Sequence, residues 1–96
     1  MTSAERAKLR SLAMTIEPTT HIGKNGVGDT LIKQIDEQLE SRELIKISVL
    51  KNADFSAKEI AEELAVSSKS QVVQVLGSKI TLYRVSKKDG IKHLLL

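Results

Sequence analysis

The stretch QVVQVLGSKITLYRV, Gln71 to Val85, holds two β-branched runs with only Gly77 and Ser78 between them. Two such runs on either side of a two-residue turn signal predict an antiparallel hairpin. Upstream, ELIKISVL sets Ile45, Ile47 and Val49 against Lys46 and Ser48, the period of two expected of a half-buried strand. A shorter strand candidate, Thr19 to Ile22, lies just past Pro18, which makes a continued helix there unfavourable.

Between these runs the apolar spacing changes to that of helices. Thr2 and Glu5 fit a capping box, and Leu9, Leu12, Ala13 and Ile16 follow at i, i+3, i+4 and i+7. Arg6 and Arg10 share one flank of this helix and Lys8 lies on the other. Leu31, Ile32, Ile35 and Leu39 form the stripe of a second helix, whose opposite face carries Lys33, Asp36, Glu37 and Glu40. That mostly acidic face is unsuited to a phosphate backbone. A third helix is marked by a capping box, Ser56 with Glu59, and by Phe55 and Ile60 at the two positions of a hydrophobic staple. The resulting order, αβαβαββ, predicts a layered α/β sandwich with some parallel pairing. The tail SKKDGIKHLLL is expected to dock Ile91, Leu94, Leu95 and Leu96 onto the body or to add an edge.

A chain of 96 residues fits one domain, here 1–96, and with one Phe, one Tyr and no Trp its core must be aliphatic. The absence of cysteine excludes disulfides, thiolate chemistry and cysteine-ligated zinc. MTSAERAKLRSLAMTIEP lacks a continuous apolar core of the signal-peptide kind, and no apolar run approaches the roughly 20 residues of a membrane span, so a cytoplasmic protein with no membrane partner is expected. Charge is unevenly spread: residues 1–28 sum to +2, 29–63 to −4 and 64–96 to +5. If the two basic ends meet in space, they form a surface suited to a polyanion.

HIGKNGVGD, His21 to Asp29, concentrates three glycines between a strand and a helix. Gly23 and Gly28 have P-loop spacing, but Asp29 stands where a P-loop needs lysine, and it would repel a nucleotide. Gly26 and Gly28 begin a dinucleotide fingerprint that Leu31 breaks. What remains is GKNG. Its glycines allow a close backbone approach, the adjoining helix start presents amides, and Lys24 adds charge, so the loop fits a clamp on a nucleic-acid backbone. A tight strand-to-helix corner would use the same residues, and from this segment alone both readings stand.

Other chemistry has less to rest on. His21 and His93 are the only histidines and have no metal-site spacing. They read as ordinary strand or surface residues. Ser67, Ser68 and Ser70 lack a nucleophile elbow, and Glu62 and Glu63 point to different sides of a helix. No catalytic residue, metal or cofactor is expected.

Several segments taken together, IGKNG, IDEQLESRELIKISVL, IAEELA and VVQVLGSKITLYR, resemble the CRM domain (chloroplast RNA splicing and ribosome maturation) in its stand-alone bacterial, YhbY-like form. The resemblance runs from the first helix to Arg84. It implies an α/β sandwich around a four-stranded mixed sheet, similar to the C-terminal domain of translation initiation factor three. It also implies RNA binding, association with precursors of the large ribosomal subunit, no catalytic activity and no small-molecule substrate. The family's G-x-x-G loop falls on Gly23, Lys24, Asn25 and Gly26. Two departures stand out: members often have Thr or Ser where this chain has Gly28, and many have Pro where it has Val85.

In this reading Gly23 and Gly26 permit close approach, Lys24 pairs with phosphate, and Asn25 donates to phosphate or a 2′-hydroxyl. Arg6, Arg10, Lys79, Arg84, Lys87 and Lys88 would extend a basic track, and Tyr83 is either a stacking or a packing residue. The expected partner is ribosomal RNA or a large-subunit precursor, bound by a monomer. The rival is a ribosome-associated adaptor that works through protein contacts.

Overall fold

The computed structural model describes residues 1–51 and 55–95; Leu96 of the expected apolar tail lies outside them. Each helix start shows why it forms there. In α1 (Ser3–Ala13) the Thr2 hydroxyl accepts from the Glu5 amide at 3.1 Å, and Glu5 Oε1 accepts from the Thr2 amide at 2.8 Å, completing the capping box. At α3 (Ala57–Ser68) Ser56 Oγ accepts from the Glu59 amide at 3.2 Å. The Glu59 carboxylate there accepts from the Ser56 hydroxyl at 3.0 Å, so the box is half formed. Phe55, expected to staple this helix, stands more than half exposed with its ring beside Gly26, while Ile60 is buried. The start of α2 (Asp29–Arg42) has Gly28 as its N-cap and therefore no side-chain cap.

The strands β1 (Thr20–Ile22), β2 (Leu44–Val49), β3 (Gln71–Leu76) and β4 (Lys79–Tyr83) form one sheet in the order β1-β2-β4-β3. β1 runs parallel to β2, and β4 is antiparallel to both β2 and β3. The sheet is mixed and four-stranded, as the resemblance implies. The predicted hairpin joins Leu76 to Lys79 through Gly77 and Ser78, and Gly77 takes φ +59, which a two-residue hairpin loop asks of its first residue.

Alternation along the strands sends two apolar sets to opposite faces. On one face Ile22, Ile45, Ile47, Val49, Ile80 and Leu82 pack against α2 and α3 through Ile35, Leu39, Ile60 and Leu64. Each such aliphatic side chain contributes about 1.5–3 kcal/mol on burial. On the other face Leu44, Val73 and Tyr83 meet Leu9 and Ala13 of α1, with Ile16, Leu94 and Leu95 closing the rim. The chain ends therefore do meet: α1 and the tail share this smaller core. The rest of the face, toward the C-terminal end of β2, mixes Lys46, Ser48, Lys79 and Thr81 with the exposed Leu76.

Two arginines hold the architecture together. β3 has a bulge between Val72 and Gln74, which pair with Leu82 and Thr81. Arg6 Nη1 donates to both Val72 O at 2.9 Å and Val73 O at 2.8 Å, supplying donors where the ladder is interrupted. Arg84 Nη1 reaches Asp36 Oδ1 at 2.6 Å and Ser68 O at 2.7 Å, and its Nη2 reaches Glu40 Oε2 at 3.0 Å. It thereby ties β4 to α2 and to the carbonyl end of α3.

The segment after β4 is anchored on Glu43, which is fully buried. Its Oε2 accepts from the Ser86 amide at 2.7 Å and lies 2.7 Å from His93 Nδ1, while Oε1 accepts from the Leu94 amide at 2.9 Å. Burial pushes this carboxyl up. The hydrogen bonds from His93, Ser86 and Leu94, with the charge of His93, outweigh that and hold it below its ordinary 4.5. His93, read from sequence as an ordinary residue, is thus one of the tail's fastenings.

Candidate nucleic-acid interface

The end of the sheet where β1 and β2 finish brings three loops together. The Leu50 amide donates to Ile22 O and the Val49 amide to Ser78 O, each at 2.8 Å, so the loop after β1, the loop after β2 and the β3–β4 turn are neighbours. With strands about 4.8 Å apart, this row spans roughly 10 Å from β1 to β4.

GKNG is a β-turn at this end. The Gly26 amide donates to Gly23 O at 3.1 Å, leaving Lys24 and Asn25 exposed at the tip. Gly26 takes φ +66, a conformation that L side chains rarely adopt, which accounts for glycine at this corner. The ring of Phe55 lies against it, since a Cβ on Gly26 would stand 3.7 Å from Phe55 Cε2. Both readings left open by the sequence are thus compatible with one geometry: the glycine makes the corner, and the corner displays Lys24 and Asn25.

Beside the turn, this half of the α1-side face carries basic groups. Lys79 is exposed, and its Nζ donates to Ser48 Oγ at 2.8 Å, leaving its other protons directed elsewhere. Arg10, Lys46 and Lys79, together with Gln74, Thr81 and the apolar Ala13, Met14 and Leu76, line a shallow groove between α1 and the sheet that contains no carboxylate. His21 pairs in register with Ser48 and so shares this face. The acidic residues of α2 lie across the sheet, on the face covered by α2 and α3. The carboxylates of α2 and the basic groups of the groove thus lie on opposite faces of the sheet.

The expected basic track is not continuous. Arg10 and Lys79 line the groove at the GKNG end, and Lys24 stands on the turn. Arg84, Lys87 and Lys88 lie past the opposite end of β4, about 16 Å of strand from Lys79. Arg84 is occupied by Asp36, Glu40 and Ser68, and Arg6 by the bulge carbonyls, so both guanidinium groups serve the fold. Tyr83 is 3 % exposed and packs under α1, which removes its stacking option. Sequence reasoning passed over Lys46, in the groove, and the exposed Lys51, which follows Leu50 in the loop after β2. Lys46 was legible only as the polar phase of a strand, and Lys51 belonged to no motif.

Among the described residues no group of three or more His, Asp or Glu is placed to hold a metal ion, and no helix is long and apolar enough to cross a membrane.

Comparison with known proteins bears on the family and the fold. The chain is 46% identical over 89 residues to the probable RNA-binding protein YqeI of Bacillus subtilis, covering 93% of each chain. It is 41% identical over 97 residues to the probable RNA-binding protein MJ0652 of Methanocaldococcus jannaschii, covering 99% of this chain and 70% of the other. The solution structure of the hypothetical protein SAV1595 from Staphylococcus aureus superposes with a TM-score of 0.78 at 47% identity, covering 97% of this chain and 98% of that one. The model of the CRS1/YhbY (CRM) domain matches residues 1–84, and the chain belongs to that family.

Proposed function

We propose that this protein binds RNA of precursor large ribosomal subunits as a monomer and acts in their assembly, gripping the RNA backbone through GKNG and the basic groups around it. The observation that carries the reading is the turn itself. It displays Lys24 and Asn25 in water at the sheet end that also bears Lys79, beside a groove lined by Arg10 and Lys46 without an acid. Lys24 supplies a point charge to phosphate, Asn25 a neutral donor, and Gly26 the backbone shape that presents them. The family supports RNA as the ligand, and its stand-alone bacterial members support the ribosomal precursor. No step of bond chemistry is needed for this role.

The test replaces Lys24 and Asn25 with Asp. The expected result is a protein with an unchanged circular dichroism spectrum that no longer co-sediments with large-subunit precursors. Undiminished sedimentation would sink the loop reading. RNA-free, salt-insensitive binding to a ribosomal protein would favour an adaptor instead, for which the exposed acidic side of α2 is the available surface.

A further inference from the structure

Phe55 is the only phenylalanine of the chain and is 54% exposed. Phenylalanine is among the residues most often buried, and this one belongs to neither core cluster. Its ring instead lies against the glycine that closes the GKNG turn: a Cβ on Gly26 would meet Cε2 at 3.7 Å and Cδ2 at 3.8 Å. Two residues of chain, at most about 7 Å, separate Gly26 from Lys24. An exposed ring thus stands next to the point where the backbone of the RNA is held. Tyr83, the other large aromatic residue, is buried.

We propose that Phe55 is a stacking platform for one unpaired nucleobase of the RNA whose phosphates GKNG grips. The inference rests on the backbone reading above and adds a substrate class to it. A base can reach the ring only when it is unstacked from its own strand, so the preferred ligand is a single strand, loop or bulge rather than a continuous duplex. Every base has a π-face, so the platform selects for unpaired structure and tolerates sequence.

The absence of tryptophan allows a direct test. In Phe55→Trp the indole is the only one in the protein. Its emission should be quenched by a twelve-nucleotide oligoadenylate and unaffected by an abasic ribose-phosphate strand of the same length. Phe55→Ala should weaken oligoadenylate binding about 5- to 150-fold and leave the abasic strand unaffected. Phe55→Leu, which keeps apolar contact with Gly26, should bind no better than Phe55→Ala. Full binding by the leucine variant, or equal weakening toward both strands, would make Phe55 a packing residue and overturn the stack. Loss confined to the Lys24 and Asn25 variant overturns the stack while upholding the backbone grip. Loss confined to Phe55→Ala overturns the grip and the joint action of ring and loop.

Discussion

Glu43 occupies a position that glycine would fill more cheaply. It ends α2 at φ 64, ψ −33, a backbone conformation that costs a residue with a Cβ about 1–2 kcal/mol. The carboxylate offsets this by holding Ser86, His93 and Leu94 from within the protein. Glu43→Ala should destabilise the fold by about 3 kcal/mol in urea denaturation, because three groups lose one charged acceptor. Limited proteolysis should then cut the chain after Arg84. The lowered pKa of Glu43 also sets a direction with pH. Its contribution is fully present above its unfolded value of about 4.5 and is lost as pH falls through the lower folded value, so acid unfolding of Glu43→Ala should show a shallower pH dependence. Burial pushes the Tyr83 hydroxyl above its ordinary 10.0, helped by the charges of Glu43 and Glu5, so its contribution is lost instead as pH rises past 10. None of this was visible in RELIK as a sequence, because Glu43 and Leu94 are 51 positions apart and no local pattern links them.

Elements were the most legible level. Hydrophobic period, caps and turn residues act within a few positions, and every helix and strand is present in the expected order, but β1 starts one residue late at Thr20, β4 stops at Tyr83, and α1 ends at Ala13, short of Ile16, with Leu12 of its expected stripe exposed. The bulge in β3 had one local mark, the adjacent Val72 and Val73 that break the period of two and pack on opposite faces, but a doubled apolar residue alone does not specify a bulge. Its effect on the candidate site was large: it sets Val73 under α1 beside a groove-lining Gln74, and it claims Arg6. Arg6→Ala should cost about 1–3 kcal/mol by stranding the bulge carbonyls, and hydrogen exchange should report the loss in β3 before β1. At α2, the missing cap can be supplied. A Cβ at Gly28 meets nothing within 4 Å and its φ is −126, so Gly28→Ser should stabilise the protein by about 0.5 kcal/mol, read as a raised melting temperature.

Across the whole molecule, the charge pattern seen in sequence becomes a direction in space. Sequence reading could count the basic residues, but it could not tell those at the GKNG end from those consumed by the fold or stationed at the far end. That distinction depends on strand order. If Lys24, Lys79, Arg10, Lys46 and Lys51 each neutralise one phosphate, the logarithm of affinity for single-stranded RNA should fall with that of salt with a slope of about −3.5. Lys24→Ala should reduce that slope by about 0.7, whereas Lys87→Ala with Lys88→Ala should leave it unchanged; equal effects from the two would place the RNA along the whole molecule.

Strand order has a further consequence. β4 is the last strand in the chain, yet it lies between β2 and β3. Until residue 83 has been made, β2 has an open edge and β3 has no neighbour, so the sheet cannot be assembled piecemeal from its beginning. A nascent chain stopped at Ser78 should remain protease-sensitive however many of its helices have formed. Five more residues, Lys79–Tyr83, should let the two halves close in a single cooperative step.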